Sequence, residues 1–256
     1  FVTGVTARLQ CSTIWGRQLT SLQNKNSDLK GFDMIKSFTI LATLSMATPV
    51  VAQQSFAAPE GCEATLTVQH KSCVLINVWQ CEADEAGDQW IALLTQAGVF
   101  SIQKVDAEFQ WLEAYKLTGN ETLVTPAEDP ASLTELFEAQ LDTWDFSLET
   151  EGGIERNVGF DLLTGETTVI DGETLLNTEF QGRTLDADGN EIEAGSGRQF
   201  VSEKHRMFFF GIGWDDASPD DIMDMSPVEF IYPGEPGFFS DSPKYECNVI
   251  ESSFQP

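Results

Sequence analysis

The chain has 256 residues, of which 41 are Asp or Glu and 14 are Lys or Arg, and its formal net charge is −27. A charge of this size repels nucleic acid and anionic membrane surfaces, because few cationic side chains are present to neutralise phosphates. Hydrophobic residues make up 41% of the chain, which excludes a disordered acidic tail and is consistent with a packed core under a solvated acidic surface. We therefore expect no nucleic-acid partner.

Residues 34–52 have the three-part order of a secretory signal peptide. A basic start precedes an apolar run at 38–47, and small residues follow after Pro49, ending at Ala52. The run is shorter than the roughly 20 apolar residues that a membrane-spanning helix needs. We expect cleavage near Ala52, and a periplasmic or secreted protein of the bacterial envelope with no membrane span in its mature chain.

Residues 1–33 precede this signal and, unlike the rest of the chain, are basic. Arg8, Arg17, Lys25 and Lys30 outnumber Asp28 and Asp33. We expect them to be translated upstream sequence that is disordered and outside the folded part. Residues 53–256 have the length of a single domain.

Four cysteines follow the signal, and an even number in an exported protein predicts two disulfides. A hairpin that turns at 71–72 places Cys62 opposite Cys81. Cys73 is then left to pair with Cys247. Free thiols and a zinc site are the alternatives, but the chain has no CxxC pair and only 2 His.

The first half of the mature chain reads as short strands followed by one helix. Alternating apolar residues predict strands at 63–69, 74–79, 88–96, 99–105, 108–117 and 121–125. Asp129 is a typical N-cap residue and Pro130 suits the first helical position, so we expect a helix from there to about Leu141.

The second half is dense in turn signals. A strand at 144–149 is followed by expected turns at 164–165, 171–172, 181–182, 188–189 and 195–197. An acidic loop at 215–226 and strands at 228–232 and 245–250 complete the chain. We predict an all-β fold with one short helix, in which an antiparallel meander forms a strongly curved sheet or barrel; a β-sandwich is the alternative.

Two acidic stretches are candidate calcium sites. Asp186, Asp188 and Asn190 resemble part of an EF-hand loop, although its sixth and twelfth positions hold Glu191 and Gly197 where the loop needs Gly and Glu. The second stretch contains Asp215, Asp216 and Asp220. A hairpin turn explains the first stretch and a solvated loop explains the second, so we expect no cofactor, with Ca²⁺ as the alternative.

No residue is singled out as catalytic. Gly195-Ser196-Gly197 is not a G-x-S-x-G elbow, and His205 lies in a dense apolar stretch that predicts a strand. Paired carboxylates could act as in glycosidases, but with 41 acidic residues the sequence selects no pair.

Aromatic residues are the most suggestive feature for function. Cup-like β-folds hold apolar small molecules against such side chains, and we expect Trp90, Trp111, Trp144 and Phe146 to line a cavity. The sequence thus predicts an exported, non-enzymatic binding or accessory protein, with an apolar small molecule or an envelope protein as its partner. A carboxylate-dependent hydrolase and a cation-stabilised surface or adhesion module are the alternatives.

Overall fold

The computed structural model describes residues 56–247. They form thirteen strands and one helix, in the order β1 (Cys62–His70), β2 (Val74–Cys81), β3 (Gln89–Thr95), β4 (Gly98–Val105), β5 (Trp111–Lys116), β6 (Gly119–Asp129), α1 (Leu133–Ala139), β7 (Leu141–Thr150), β8 (Gly153–Ile170), β9 (Glu173–Leu185), β10 (Glu191–Ser202), β11 (Met207–Asp215), β12 (Met223–Asp224) and β13 (Pro227–Ile231).

All thirteen strands belong to one antiparallel sheet. From β1 to β12 each strand pairs with the next one in the chain, and β13 returns to pair with the free edge of β1. The prediction of an antiparallel meander with one short helix is confirmed. The sheet is not closed, because its outermost strands β12 and β13 do not pair with each other.

The two ends of the sheet are nevertheless linked by consecutive residues. Only Met225 and Ser226 separate β12, which pairs with β11, from β13, which pairs with β1. Met225 donates its backbone N–H to the carbonyl of Gly211 (2.8 Å), and Lys71 donates its backbone N–H to Ser226 (3.0 Å). We call residues 223–231 the seam, since their backbone hydrogen-bonds to both ends of the sheet.

One face of the sheet encloses the main core, and we call it the inner face. Side chains from β1, β2 and β13 meet side chains from β9, β10 and β11 there, so the sheet curls until its two ends share one core. Leu133 and Leu136 of α1 are fully buried in the same core. Its other members include Leu66, Val68, Val78, Leu175, Val201 and Phe209.

The opposite, outer face is covered at β1 and β2 by the C-terminal segment 238–247. Phe239 packs edge-on against Trp79, with ring centroids 6.2 Å apart. Three buried polar side chains of the two strands bind backbone groups of that segment: Asn77 donates to Ser240, Thr67 accepts from Phe239, and Gln69 bonds Ser242 and Lys244. These two strands are therefore buried on both faces.

Both expected disulfides are present. Cys62–Cys81 joins directly paired residues of β1 and β2, and Cys73–Cys247 ties the β1–β2 turn to the C-terminal segment, 174 residues away. Disulfides persist in oxidising compartments, so the pair fits an extracellular or periplasmic protein. The predicted signal at 34–52 and the upstream segment 1–33 lie outside the described residues. In the range 56–247 no helix has the length and apolarity to cross a membrane.

The helix starts later than the sequence predicts. Ser132 is the N-cap: it has an extended backbone, and its hydroxyl accepts the N–H of Glu135 (3.1 Å). Asp129 is instead the last residue of β6, where its carboxylate accepts a hydrogen bond from Thr143. The expected N-cap at Asp129 is therefore wrong. Asp and Ser are both good N-cap residues, but β6 extends to Asp129, so the helix can begin only after it and Ser132 takes the N-cap position.

Three of the expected turns lie inside strands. Residues 164–165 belong to a bulge within β8, 181–182 lie in β9, and 195–197 lie in β10. The turn between β10 and β11 falls at 203–206 instead, so His205 is in a turn and not in a strand. The expected strand at 245–250 is absent from residues 245–247, and 248–250 lie outside the described range. The turns at 171–172 and 188–189 are confirmed.

Candidate functional site

Glycines form a band across the inner face of four neighbouring strands. Gly159 of β8 pairs with Gly182 of β9, which pairs with Gly195 of β10, and Gly197 of β10 pairs with Gly213 of β11. Glycine within a strand commonly marks a close approach of another group. The band leaves room for rings that lie flat against the wall of the sheet.

Two aromatic rings occupy that room. A Cβ on Gly159 would lie 2.5 Å from the ring of Trp144, and one on Gly182 would lie 2.8 Å from it. The ring of Phe180 is placed in the same way over Gly197, at 2.7 Å. Because a methyl group does not fit at these distances, only glycine permits the rings to lie on the sheet.

Trp111, Phe146 and Trp144 form a continuous aromatic row. The ring centroids of Trp111 and Phe146 are 5.6 Å apart, and those of Phe146 and Trp144 are 5.8 Å apart. Phe146 is buried, while both tryptophans are half-buried. The structure thus brings together three of the four residues expected to line a cavity.

Trp90 does not join that row. It stacks between Trp79 of β2 and Tyr115 of β5, and it donates its indole N–H to Asp84 (2.8 Å). Its neighbour Ile91 packs against the main core, and adjacent residues of a strand face opposite sides. Trp90 therefore lies on the outer face.

A buried pair of carboxylates lies beside Trp144, at one end of the aromatic row. Asp142 of β7 and Asp161 of β8 face each other directly in the ladder and are 3% and 5% exposed. Directly opposed residues have Cβ atoms about 5 Å apart and project from the same face. The two acids therefore occupy one buried space.

The hydrogen bonds to this pair come from neutral donors. Asp161 accepts the indole N–H of Trp144 (3.1 Å) and the amide of Gln199 (2.6 Å). Asp142 accepts the backbone N–H of Ser132 (2.9 Å) at one oxygen, while its buried Oδ1 has no partner. No lysine or arginine within residues 56–247 forms an ion pair with either acid.

Burial disfavours the ionised form of both acids. It raises the pKa of Asp142 to about 7, and the negative charge of Asp161 adds to the rise. Burial also raises the pKa of Asp161 to about 6, although the hydrogen bonds from Trp144 and Gln199 oppose it. The pair can therefore hold a proton near neutral pH.

Asn157 continues the polar wall beyond Trp144. It is 5% exposed, and its carbonyl oxygen accepts the hydroxyl of Thr184 (3.0 Å). The amide nitrogen Nδ2 of Asn157 is buried without a hydrogen-bond partner. An unpartnered donor, Nδ2 of Asn157, and an unpartnered acceptor, Oδ1 of Asp142, thus lie on either side of Trp144 on the inner face.

Half-buried charged groups of β5, β8, β10 and β11 influence one another electrostatically. Burial raises the pKa of Glu193 in β10, Lys116 of β5 opposes the rise, and Asp215 and Glu155 add to it. Lys116 also pairs with Glu121 of β6. The influence of β5 on β10, five strands away in the sheet, reflects the curl of the sheet.

The residues expected to bind calcium mostly serve turns. Oδ1 of Asp186 accepts the backbone N–H groups of Asp188 (2.9 Å) and Asn190 (2.8 Å). Asp215 accepts the N–H of Ala217, while Asp216 and Asp220 are exposed. Among residues 56–247 no three His, Cys, Asp or Glu side chains are grouped to hold a metal ion. Calcium binding stays the alternative to the prediction of no cofactor.

Sequence reasoning missed the Asp142–Asp161 pair, although one signal was present. Asp142 has the same parity as Trp144 and Phe146, and so it places an acid in the apolar phase of β7. Asp161 gave no comparable signal, because its register opposite Asp142 depends on the length of the β7–β8 hairpin. Comparisons with protein-family models, curated proteins and solved structures found no match to this chain.

Proposed function

We propose that this is an exported, non-enzymatic binding protein that holds an apolar small molecule against the aromatic row of its inner face. The observation that carries the proposal is the row itself, in which half-buried Trp111 and Trp144 flank buried Phe146. Most ligand pockets combine such aromatic walls with a few polar groups that orient the ligand. The disulfides support export to an oxidising compartment.

The seam supports a barrel-like enclosure for this ligand. Its hydrogen bonds to β11 and β1 hold the two ends of the curled sheet together. Leu133 and Leu136 of α1 are buried in the main core, and Trp111 of the aromatic row packs against the same core.

Tryptophan fluorescence tests the proposal directly. We expect decanol, titrated into the oxidised protein, to shift the emission maximum and to bind with a dissociation constant below about 100 μM. Trp144→Phe is expected to weaken binding by about tenfold, because it removes ring area beside the ligand. Trp90→Phe is the matched control: it changes a tryptophan of the outer face and is expected to leave the affinity unchanged. Equal loss in both variants, or no binding by the unaltered protein, contradicts the proposal.

A carboxylate-dependent hydrolase is the second candidate, and the buried acid pair favours it. Retaining glycosidases use two carboxyl groups about 5 Å apart, one of them with a raised pKa. Asp142 and Asp161 have opposed positions in the ladder and raised pKa values. The test is hydrolysis of a panel of aryl glycosides by the unaltered protein and by Asp161→Asn; turnover that survives the substitution removes this candidate.

A further inference from the structure

The acid pair is buried, and no lysine or arginine within residues 56–247 forms an ion pair with it, which is a costly arrangement unless something compensates for its charge. A carboxylate inside a protein is normally paired, hydrogen-bonded on both oxygens or protonated. Within residues 56–247 the hydrogen bonds to Asp142 and Asp161 come from neutral donors, and Oδ1 of Asp142 accepts none. A buried carboxylate oxygen of this kind favours a neighbouring group that donates a hydrogen bond and carries positive charge.

The surroundings of the pair suit an organic cation better than a bare metal ion. The indole N–H of Trp144 lies in the plane of the ring and points to Asp161, so the acid meets the edge of the ring. An ammonium group that extends from the acid over the face of this ring is attracted by it. Hard metal ions need several oxygen ligands, whereas an ammonium group needs few acceptors and tolerates an apolar wall. The aromatic row then extends from this point along β7 to Phe146.

Asn157 supplies a second, independent indication of a ligand. Its Nδ2 is a buried donor without a partner, and its orientation is fixed because Thr184 occupies its carbonyl oxygen. Asn157 lies opposite Phe146, four residues along β7 from Asp142. Since a strand advances 3.3–3.4 Å per residue, the two unpartnered atoms belong to residues roughly 13 Å apart. A ligand that lies over Trp144 reaches both.

We propose that the ligand of the inner face is a cationic amphiphile, whose ammonium head binds between Asp142 and Asp161 and whose apolar body lies on the aromatic row, with a hydrogen-bond acceptor toward Asn157. The inference rests on the proposed binding function and names its ligand class. Binding balances the charge of the pair, and the ammonium head fills the free acceptor of Asp142.

Three probes with the same tail and different heads test this proposal: decylammonium, decanol and decanoate. In tryptophan fluorescence titrations at pH 7.5 we expect decylammonium to bind about tenfold or more tightly than decanol, and decanoate to bind most weakly. The variant Asp142→Asn/Asp161→Asn is expected to bring decylammonium and decanol to within about twofold. Asp142→Asn alone, which keeps an oxygen for the N–H of Ser132, is the second variant if the double variant does not fold.

The acidic surface also attracts cations, so a charge-matched control is needed. Glu149 and Glu179 are exposed residues of β7 and β9, and Glu149→Gln/Glu179→Gln removes the same charge from outside the inner face. This variant is expected to keep the preference for decylammonium. Loss of the preference in the control, or its survival in the inner-face variants, overturns the proposal. Equal binding of the three probes overturns it but leaves the proposed function standing, whereas no binding of any probe overturns both.

Discussion

At the scale of single residues, Asp142 shows that a sequence pattern can predict a strand correctly and still give no indication of a buried ionisable group. Asp142 is at a position of β7 whose side chain points to the inner face, where hydrophobic side chains are expected. Burial there raises its pKa to about 7. Asp161 of β8 lies directly opposite Asp142 in the β7–β8 ladder. Two acids in one buried space favour a shared proton, because the second ionisation must overcome both burial and repulsion.

The pair should make stability fall as the pH rises. Both pKa values are raised in the folded state, to about 7 and about 6, above the roughly 3.9 expected for an unfolded aspartate. The folded protein thus keeps protons that the unfolded chain has released, and this contribution is present below about pH 4 and is lost as the pH rises to about 7.

Asp142→Asn should therefore raise the free energy of unfolding at pH 8 by roughly 1–3 kcal/mol, because it removes a buried charge and keeps the acceptor for Ser132. At pH 4 the difference from the unaltered protein should vanish. Urea unfolding at the two pH values measures both quantities. Glu149→Gln, on the exposed side of the same strand, should change neither; a pH-independent effect of Asp142→Asn would show that charge is not the cause.

At the scale of strands and turns, the glycines explain where sequence reasoning succeeded and where it failed. Asp171-Gly172 is a true turn, because both residues have positive φ. Gly182 and Gly197 give the same local signal but lie within strands, where they admit the rings of Trp144 and Phe180. Whether a glycine serves a turn or a contact depends on side chains of other strands, which no local pattern contains.

A pair of opposed glycines provides a direct test of this role. Gly197 and Gly213 face each other, yet a Cβ on Gly197 would lie 2.3 Å from the carbonyl of Ile212, whereas on Gly213 its nearest neighbour would be 3.8 Å away. We expect Gly197→Ala to destabilise the protein by roughly 1–3 kcal/mol through overpacking. Gly213→Ala should be neutral or stabilising by up to about 1 kcal/mol, because alanine restricts the unfolded chain. Thermal unfolding of both variants measures these effects. A similar loss of stability in the two variants would contradict the conclusion that Gly197, and not Gly213, is required for a close contact.

The two disulfides should differ in their contribution to stability. Cys73–Cys247 closes a loop of 174 residues and Cys62–Cys81 one of 19. In the chain-entropy description the longer loop contributes roughly 5 kcal/mol and the shorter one roughly 3 kcal/mol. We expect Cys73→Ser/Cys247→Ser to lower the melting temperature more than Cys62→Ser/Cys81→Ser. The opposite order would indicate that the C-terminal segment is held mainly by its bonds to Asn77 and Gln69.

At the scale of the whole molecule, the fold class was accessible from the sequence, and the link between the two ends of the sheet was not. Alternation within strands and the order of turns suffice to predict a meander, because each strand pairs with the next. The seam cannot be predicted in this way, because β12 has only two residues and the preceding stretch 215–222 has the sequence of an acidic loop. The pairing of β12 with β11 depends on the curl of the sheet, which brings its two ends to one core.

The overall charge should make stability depend on salt. A formal net charge of −27 repels itself in the compact state, and salt screens that repulsion once the Debye length falls toward about 10 Å at 0.1 M. At pH 7.5 we expect the melting temperature to rise by roughly 2–5 °C between about 0.01 and 0.3 M NaCl. Near pH 4.1, the isoelectric point of the sequence, the net charge is close to zero and the rise should disappear. Calorimetry at both pH values separates the causes, because an equal rise at both would come from the general effect of salt on apolar burial and not from charge.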